Sequence, residues 1–505
     1  MPARMITYNK LAAKGTPVSA RVLSNALWQK LIESNRDVPR NFSQLRLLGY
    51  RIFNVHPKPS PKAPPAPEFA KVVHNYDLDD PCGTGLLDSF VQALANPAIT
   101  PAQHKQLDEE LAAAVPKLPN KMSTTHFDLH WTETDPDPKN NISRALVEAT
   151  SRDLETAWSA YNAAFGRAPY VAKNQTKIQI QFYLLADGTS GVTSPEGPID
   201  FNSEKFTANP GLCKPISAHE LFHREQYSFG LSVKYRPPDP KAWFIEGTAN
   251  WGSVFVWQTV AQTRAIEPLF TDPNQSLFEA SYKATPFWIF IQGMQSDKYS
   301  NAIVELFKQF EDLTGSIMGA VETVLELAWN SAQPYSRFDF NFMLFNWARI
   351  NDLWRQKRNG YLSLGPLYPV IKTSDGATIT PKLTISTHNL SKDQSFSTAA
   401  SVEEYGTQYY QVNLGNNTSG VGLYEETKTD GVKYLYTNSW LLNGQVQLSD
   451  VSDISRLVQG NLGTMYSITL SYANQFVFTV SADQLGPNNY QIYLSPTNSP
   501  KPPWR

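Results

Sequence analysis

The stretch from Pro215 to Asn250 constrains this chain most, and within it the run His219-Glu220-Leu221-Phe222-His223. Residues four apart on an α-helix share one face, a turn from each other. His219 and His223 therefore present two imidazoles to one metal ion, with Glu220 beside them to take a proton from a water on that metal. Zinc in such a site keeps an open position, brings the pKa of its water towards neutrality and polarises a carbonyl. The chain has eight histidines in 505 residues, so this spacing around a glutamate rarely arises by chance. The surroundings suit a helix: Pro215 fits a first turn, Ile216, Leu221 and Phe222 supply an apolar face, and Gly230 a stop. A helix whose two histidines are satisfied by hydrogen bonds, without metal, is the competing reading.

A catalytic zinc takes three protein ligands. Downstream lies Ala242-Trp243-Phe244-Ile245-Glu246-Gly247-Thr248-Ala249-Asn250-Trp251. A carboxylate in so apolar a stretch is costly to bury unless a metal or a cation pairs with it. Glu246 is therefore the candidate third ligand, with Lys or Arg as its alternative partner. Read as a helix from Glu246 onward, the segment places Asn250 and Ser253 on the face of the glutamate. From there Asn250 can orient a ligand histidine.

H-E-L-F-H followed by W-F-I-E-G-T-A-N-W resembles the gluzincin branch of the zinc metallopeptidases, closest to the secreted bacterial zincins. The likeness runs over roughly residues 82–354, in pattern more than in identity. It implies Zn2+ held by His219, His223 and Glu246, with Glu220 as general base. It also implies that Tyr282 donates a hydrogen bond to the oxyanion, with Tyr227 as a rival and simple packing as the alternative for Tyr282. Many gluzincins carry Asp where this chain has Asn250. Asn still accepts from a histidine N–H but brings no negative charge, so the ligand is less basic.

Composition narrows the partners. A net charge of −2 with no basic block argues against nucleic acid and against an anionic membrane surface. No run of about eighteen apolar residues occurs, so no transmembrane segment is expected. Residues 1–8 show no signal-peptide core, yet the resemblance implies a secreted protein whose leader is removed or which leaves by another route; an intracellular protein is the alternative. Hydrophobic residues at 41% and charged residues at 18% fit a globular chain of two or three domains. The two cysteines, Cys82 and Cys213, form one bridge or stay as buried thiols. A Cys82 thiol that blocks the metal in a latent form is a third option.

The expected fold class is α+β, in four parts. Residues 1–67 form an extension with a helix at 22–33 and a proline-rich linker at 57–67. Residues 68–122 form a helical, prosegment-like region, with helices at 86–95 and 101–115. Residues 123–370 form the zincin-like domain. Its first strand is at 125–133, with His126, Asp128 and His130 on one face, read as surface or hydrogen-bonded groups. A backing helix follows at 143–165 and a half-buried strand at 176–185. That strand, or the loop at 187–200 after it, is the place where a substrate main chain would pair in a zincin; an internal strand without substrate is the alternative. Helices follow at 301–310, 317–329 and 338–355. Residues 371–505 read as an antiparallel β-sandwich, with strands at 405–414, 433–436, 467–472, 475–480 and 490–494.

These readings point to a zinc peptidase acting on a protein or peptide. Endopeptidase is favoured, because no clear aminopeptidase strand motif occurs. The C-terminal domain would bind carbohydrate or protein, or serve the fold alone. A silent zincin scaffold in a binding or toxin-like protein, and a metal-stabilised structural protein, are the rivals.

Overall fold

The computed structural model describes residues 116–312 and 371–496, less 186–188, 194, 196, 232–241, 294–300, 380–382, 391–394, 415–419, 428–433, 443–444, 448–464, 470–474 and 483–486. It also describes residues 100–103, 106, 321, 342, 345, 346 and 349. The helices expected at 22–33 and 86–95, the linker at 57–67, most of the helix at 101–115 and most of those at 317–329 and 338–355 lie outside the described residues. So does Cys82. The class is mixed α+β.

The strands β1 (Asn120–Ser123), β2 (Phe127–Trp131), β3 (Ile178–Tyr183), β4 (Gly191–Thr193) and β5 (Ile199–Asn202) form one sheet in the order β1-β2-β3-β5-β4. The three inner strands are parallel, and β1 and β4 run antiparallel on the two edges. Alternation explains β2 and β3: Phe127, Leu129, Ile178, Ile180 and Phe182 are buried, with partly exposed polar residues between them, whereas β5 is buried throughout. The strand expected to open the domain is thus preceded by a hairpin partner, β1. The strand expected at 176–185 is internal, so the sheet edge falls to β4, inside the loop that follows it.

Helix α1 (Arg144–Phe165) starts where the Ser143 hydroxyl accepts from the Leu146 N–H, and ends at Gly166 in the left-handed region, φ 67°. Its inner face carries Leu154, Trp158, Tyr161 and Phe165. The Tyr161 hydroxyl donates to the Ala218 carbonyl at 3.0 Å, which ties α1 to α2 (Cys213–Ser228). Next comes α3 (Ala242–Trp257), packed along α2. It begins at Ala242, one turn before the start expected at Glu246. Residues 243, 244, 246–251 and 253–254 are all buried, so the segment has no polar face from which its first turn could be read.

Phe222 is the centre of the contact between these helices. Its ring meets Tyr161, Phe165, Trp251 and Phe307 edge-on, at centroid distances of 5.2 to 5.8 Å. Gly252 lets α3 come this close, since a Cβ there would lie 2.6 Å from the Phe222 ring. Beyond, α4 (Thr285–Gly293) and α5 (Ala302–Asp312) complete the core. No helix among the described residues is long and apolar enough to cross a membrane.

Further on, β6 (Thr259–Val260) pairs in parallel with β7 (Lys372–Thr373), which brings the chain into its C-terminal part. There β8 (Ser386–Leu390), β9 (Phe396–Val402), β10 (Thr407–Leu414), β11 (Gly420–Thr427), β12 (Tyr434–Leu442), β13 (Gln445–Gln447), β14 (Met465–Thr469), β15 (Gln475–Ala482) and β16 (Asn488–Pro496) make two sheets. Their orders are β13-β12-β15-β10-β8 and β14-β11-β16-β9. Val412, Phe478 and Val480 from the first sheet share one apolar cluster with Val402, Ile492 and Leu494 from the second. Among the described residues the named strands of these two sheets pair antiparallel except β8 with β10, which is parallel and departs from the expected pattern. Strands β8, β9, β11 and β13 were not legible as strands in the sequence.

Candidate metal centre

The H-E-x-x-H residues sit in the middle of α2, with Pro215 in its first turn and Gly230, φ 71°, just past its end. His219 and His223 face α3, which delivers Glu246. Among the described residues these three form a group that offers one ligand atom each, all within 4.8 Å of one another. The His219 and His223 Nε2 atoms are 3.2 Å apart. Glu246 Oε2 lies 3.2 Å from the first and 3.7 Å from the second. All three residues are at most 3% exposed.

The far side of each imidazole meets an amide. His219 Nδ1 is 2.8 Å from Asn250 Oδ1, and His223 Nδ1 is 2.8 Å from Gln226 Oε1. With the Nδ1 protons given to those oxygens, both Nε2 atoms turn lone pairs inwards, towards the Glu246 carboxylate. Atoms of this kind so close together repel one another unless a positive charge lies among them, either a metal ion or a proton on His219 Nε2. The edges also have the size that zinc requires: bonds of about 2.0–2.1 Å in a tetrahedron give donor–donor separations of about 3.3 Å. These residues fit a zinc ion.

Charge within the centre is uneven. Burial opposes a proton on His219, but the Glu246 hydrogen bond and the Glu220 and Glu246 carboxylates outweigh it and raise its pKa. On His223 burial wins, and its pKa is lowered.

Glu220 is fully buried and held from the sheet edge. The Thr193 hydroxyl lies 2.7 Å from Glu220 Oε2. Gly191, two residues earlier on β4, packs against the same side chain: a Cβ there would lie 2.6 Å from Glu220 Cγ and Oε1. The Tyr227 hydroxyl donates to the Thr193 carbonyl at 3.3 Å, and the buried Arg224 guanidinium donates to the carbonyls of Pro195 and Gly197. Helix α2 thereby anchors the edge strand and its return to β5 through three of its own side chains.

The other sequence candidates fall as follows. Asn250 reaches His219. Ser253 instead donates to the Thr259 carbonyl. Tyr282 is buried on a short 3-10 helix, Ser281–Ala284, packed against α3. His126 pairs with Glu155 at 2.6 Å and stacks on Trp158, while His130 bonds Gln179, so both are hydrogen-bonded groups apart from the centre. Cys213 carries a free buried thiol rather than half of a bridge, and burial pushes its pKa up to about 11. Sequence reasoning missed Thr193, Gly191, Gln226 and Thr248. Only Gln226 carried a signal, its spacing of three from His223.

No family model matches the chain, and no curated protein matches it. Among solved structures, a periplasmic inhibitor of g-type lysozyme from Aeromonas hydrophila aligns with 22% of this chain and 98% of its own, at 8% identity and a TM-score of 0.14. A family GH115 4-O-methyl-alpha-glucuronidase with specificity for decorated arabinogalactans aligns with 57% of this chain and 40% of its own, also at 8% identity and a TM-score of 0.14. Likeness at this level carries no argument about fold or function.

Proposed function

We propose that the chain is a zinc-dependent peptidase, with Zn2+ held by His219, His223 and Glu246 and with Glu220 as general base. The observation that carries this reading is the convergence of three potential ligand atoms at 3.2, 3.2 and 3.7 Å. Bound zinc would supply Lewis-acid polarisation of the scissile carbonyl and acidify a water. Glu220 takes the proton from the attacking water and returns it to the leaving amine. Thr193 holds the Glu220 carboxylate in one orientation, and Asn250 orients His219. The position of β4 at the sheet edge, against Glu220, supports pairing of an extended protein or peptide substrate there; endopeptidase is favoured over aminopeptidase because the sequence carries no clear aminopeptidase strand motif. The oxyanion role of Tyr282 and a secreted location are carried by the resemblance to gluzincins. The apolar cluster shared by the two C-terminal sheets supports an accessory β-sandwich, which would bind protein or carbohydrate or serve the fold alone.

The test is zinc content beside peptide hydrolysis. Glu220→Gln should keep one zinc per chain and lose turnover by roughly 10²- to 10⁴-fold, whereas His223→Ala should lose the zinc. A Glu220→Gln protein that cleaves at the wild-type rate would sink the assignment.

A further inference from the structure

Gln226 lies three residues beyond His223 on α2, and the H-E-x-x-H pattern gives it no role. Its side chain is fully buried and makes three contacts. Oε1 is 2.8 Å from His223 Nδ1, while Nε2 donates to the Ile245 carbonyl at 2.8 Å and to the Thr248 hydroxyl at 2.9 Å. Thr248 in turn donates its proton to the Phe244 carbonyl at 2.7 Å, which leaves its oxygen to accept from Gln226.

This arrangement has one solution. A peptide carbonyl only accepts, so the amide nitrogen must face α3 and the amide oxygen must face His223. An oxygen there requires a proton on His223 Nδ1, and Nε2 is left with its lone pair. The same amide grips Ile245, the residue before Glu246. One side chain thus touches one ligand directly and holds the backbone that presents another.

We propose that Gln226 is a positioning residue of the metal centre, a brace between the two ligand-bearing helices that fixes the His223 tautomer and sets the spacing to Glu246. The inference rests on the metal-binding part of the proposed function and not on peptide hydrolysis. Both braces, Gln226 on His223 and Asn250 on His219, are neutral. Glu246 is therefore the one anion among the three ligands and their two braces, and alignment rather than added charge is what the braces contribute.

The experiment uses the full chain, stripped of metal and titrated with zinc against a chromophoric chelator. Gln226→Met keeps the length of the side chain and removes its polar atoms; it should weaken zinc binding by about 10- to 100-fold. Thr248→Val should weaken it by less, and Thr248→Ser, which restores the hydroxyl, should bind as wild type does. A purely structural role would lower the thermal midpoint of the zinc-free protein without this ordering of affinities. Gln226→Met binding zinc as tightly as wild type would overturn the proposal. A second readout needs no variant: in histidine-labelled, zinc-free wild type, nitrogen-15 spectra should show His223 protonated at Nδ1, and a proton on Nε2 alone would overturn it. Wild type that binds no zinc would overturn the metal centre and the brace together. Wild type that binds zinc but cleaves no peptide would contradict the peptidase, while the affinities would still decide on the brace.

Discussion

Thr193 and Gly191 act on Glu220 from one three-residue strand, the first through its hydroxyl and the second by lacking a side chain. A hydrogen bond to a charged group contributes about 1.5–3 kcal/mol, and a base that loses its alignment loses rate to match. Thr193→Val should therefore lower kcat about 10- to 100-fold with KM and zinc content little changed, and Thr193→Ser should restore most of it. Steady-state kinetics beside metal analysis checks this; wild-type kcat in Thr193→Val would mean that the hydroxyl does not orient the base. Cys213 makes a separate residue-scale test. Burial pushes its thiol pKa up to about 11, so the reactive thiolate is disfavoured as well as shielded. Peptide mapping after iodoacetamide should find Cys213 unlabelled in the folded protein and labelled after denaturation. Rapid labelling of the native chain would contradict its burial.

At the scale of elements, the centre depends on how closely α2 and α3 approach. Gly252 sets that distance, and Gly252→Ala drives a methyl group into the Phe222 ring. Overpacking of this kind costs about 1–3 kcal/mol, so the thermal midpoint should fall; an unchanged midpoint would show that the helices have room to part. The two helices also differ in how well the sequence announces them. In α2 the spacing of His219, Glu220 and His223 puts the two imidazoles on one helix face, and Pro215 and Gly230 bracket the helix. In α3 the acid among aromatics picked out Glu246, but burial all round hid the start of the helix. Strand β4 is too short to show alternation, so Thr193 and Gly191 emerge only once the sheet has placed its edge over Glu220. Gln226 shows only its spacing of three from His223 in the sequence; its bonds to Ile245 and Thr248, and with them the role of Thr248, become legible only when the helices meet.

The whole molecule ties its two parts together at several points. Leu277 N–H bonds the Tyr405 carbonyl, Thr407 N–H bonds the Pro273 carbonyl, and the Tyr409 hydroxyl reaches Asn346. The proposed zinc ligands come from two different helices, so metal binding there would favour the folded chain over the unfolded one, by about 2.7 kcal/mol at a free zinc concentration a hundred times Kd. Chelation should lower the thermal midpoint of wild type and leave that of His223→Ala unmoved; equal sensitivity in both would place the metal elsewhere. The most direct test of the central claim is mass-spectrometric mapping of cleavages in a mixed peptide pool, zinc-loaded wild type beside Glu220→Gln. The account predicts internal cuts by wild type that vanish in the variant while its zinc stays bound. Cuts that persist in Glu220→Gln, or a zinc-loaded wild type that cuts nothing, would contradict it.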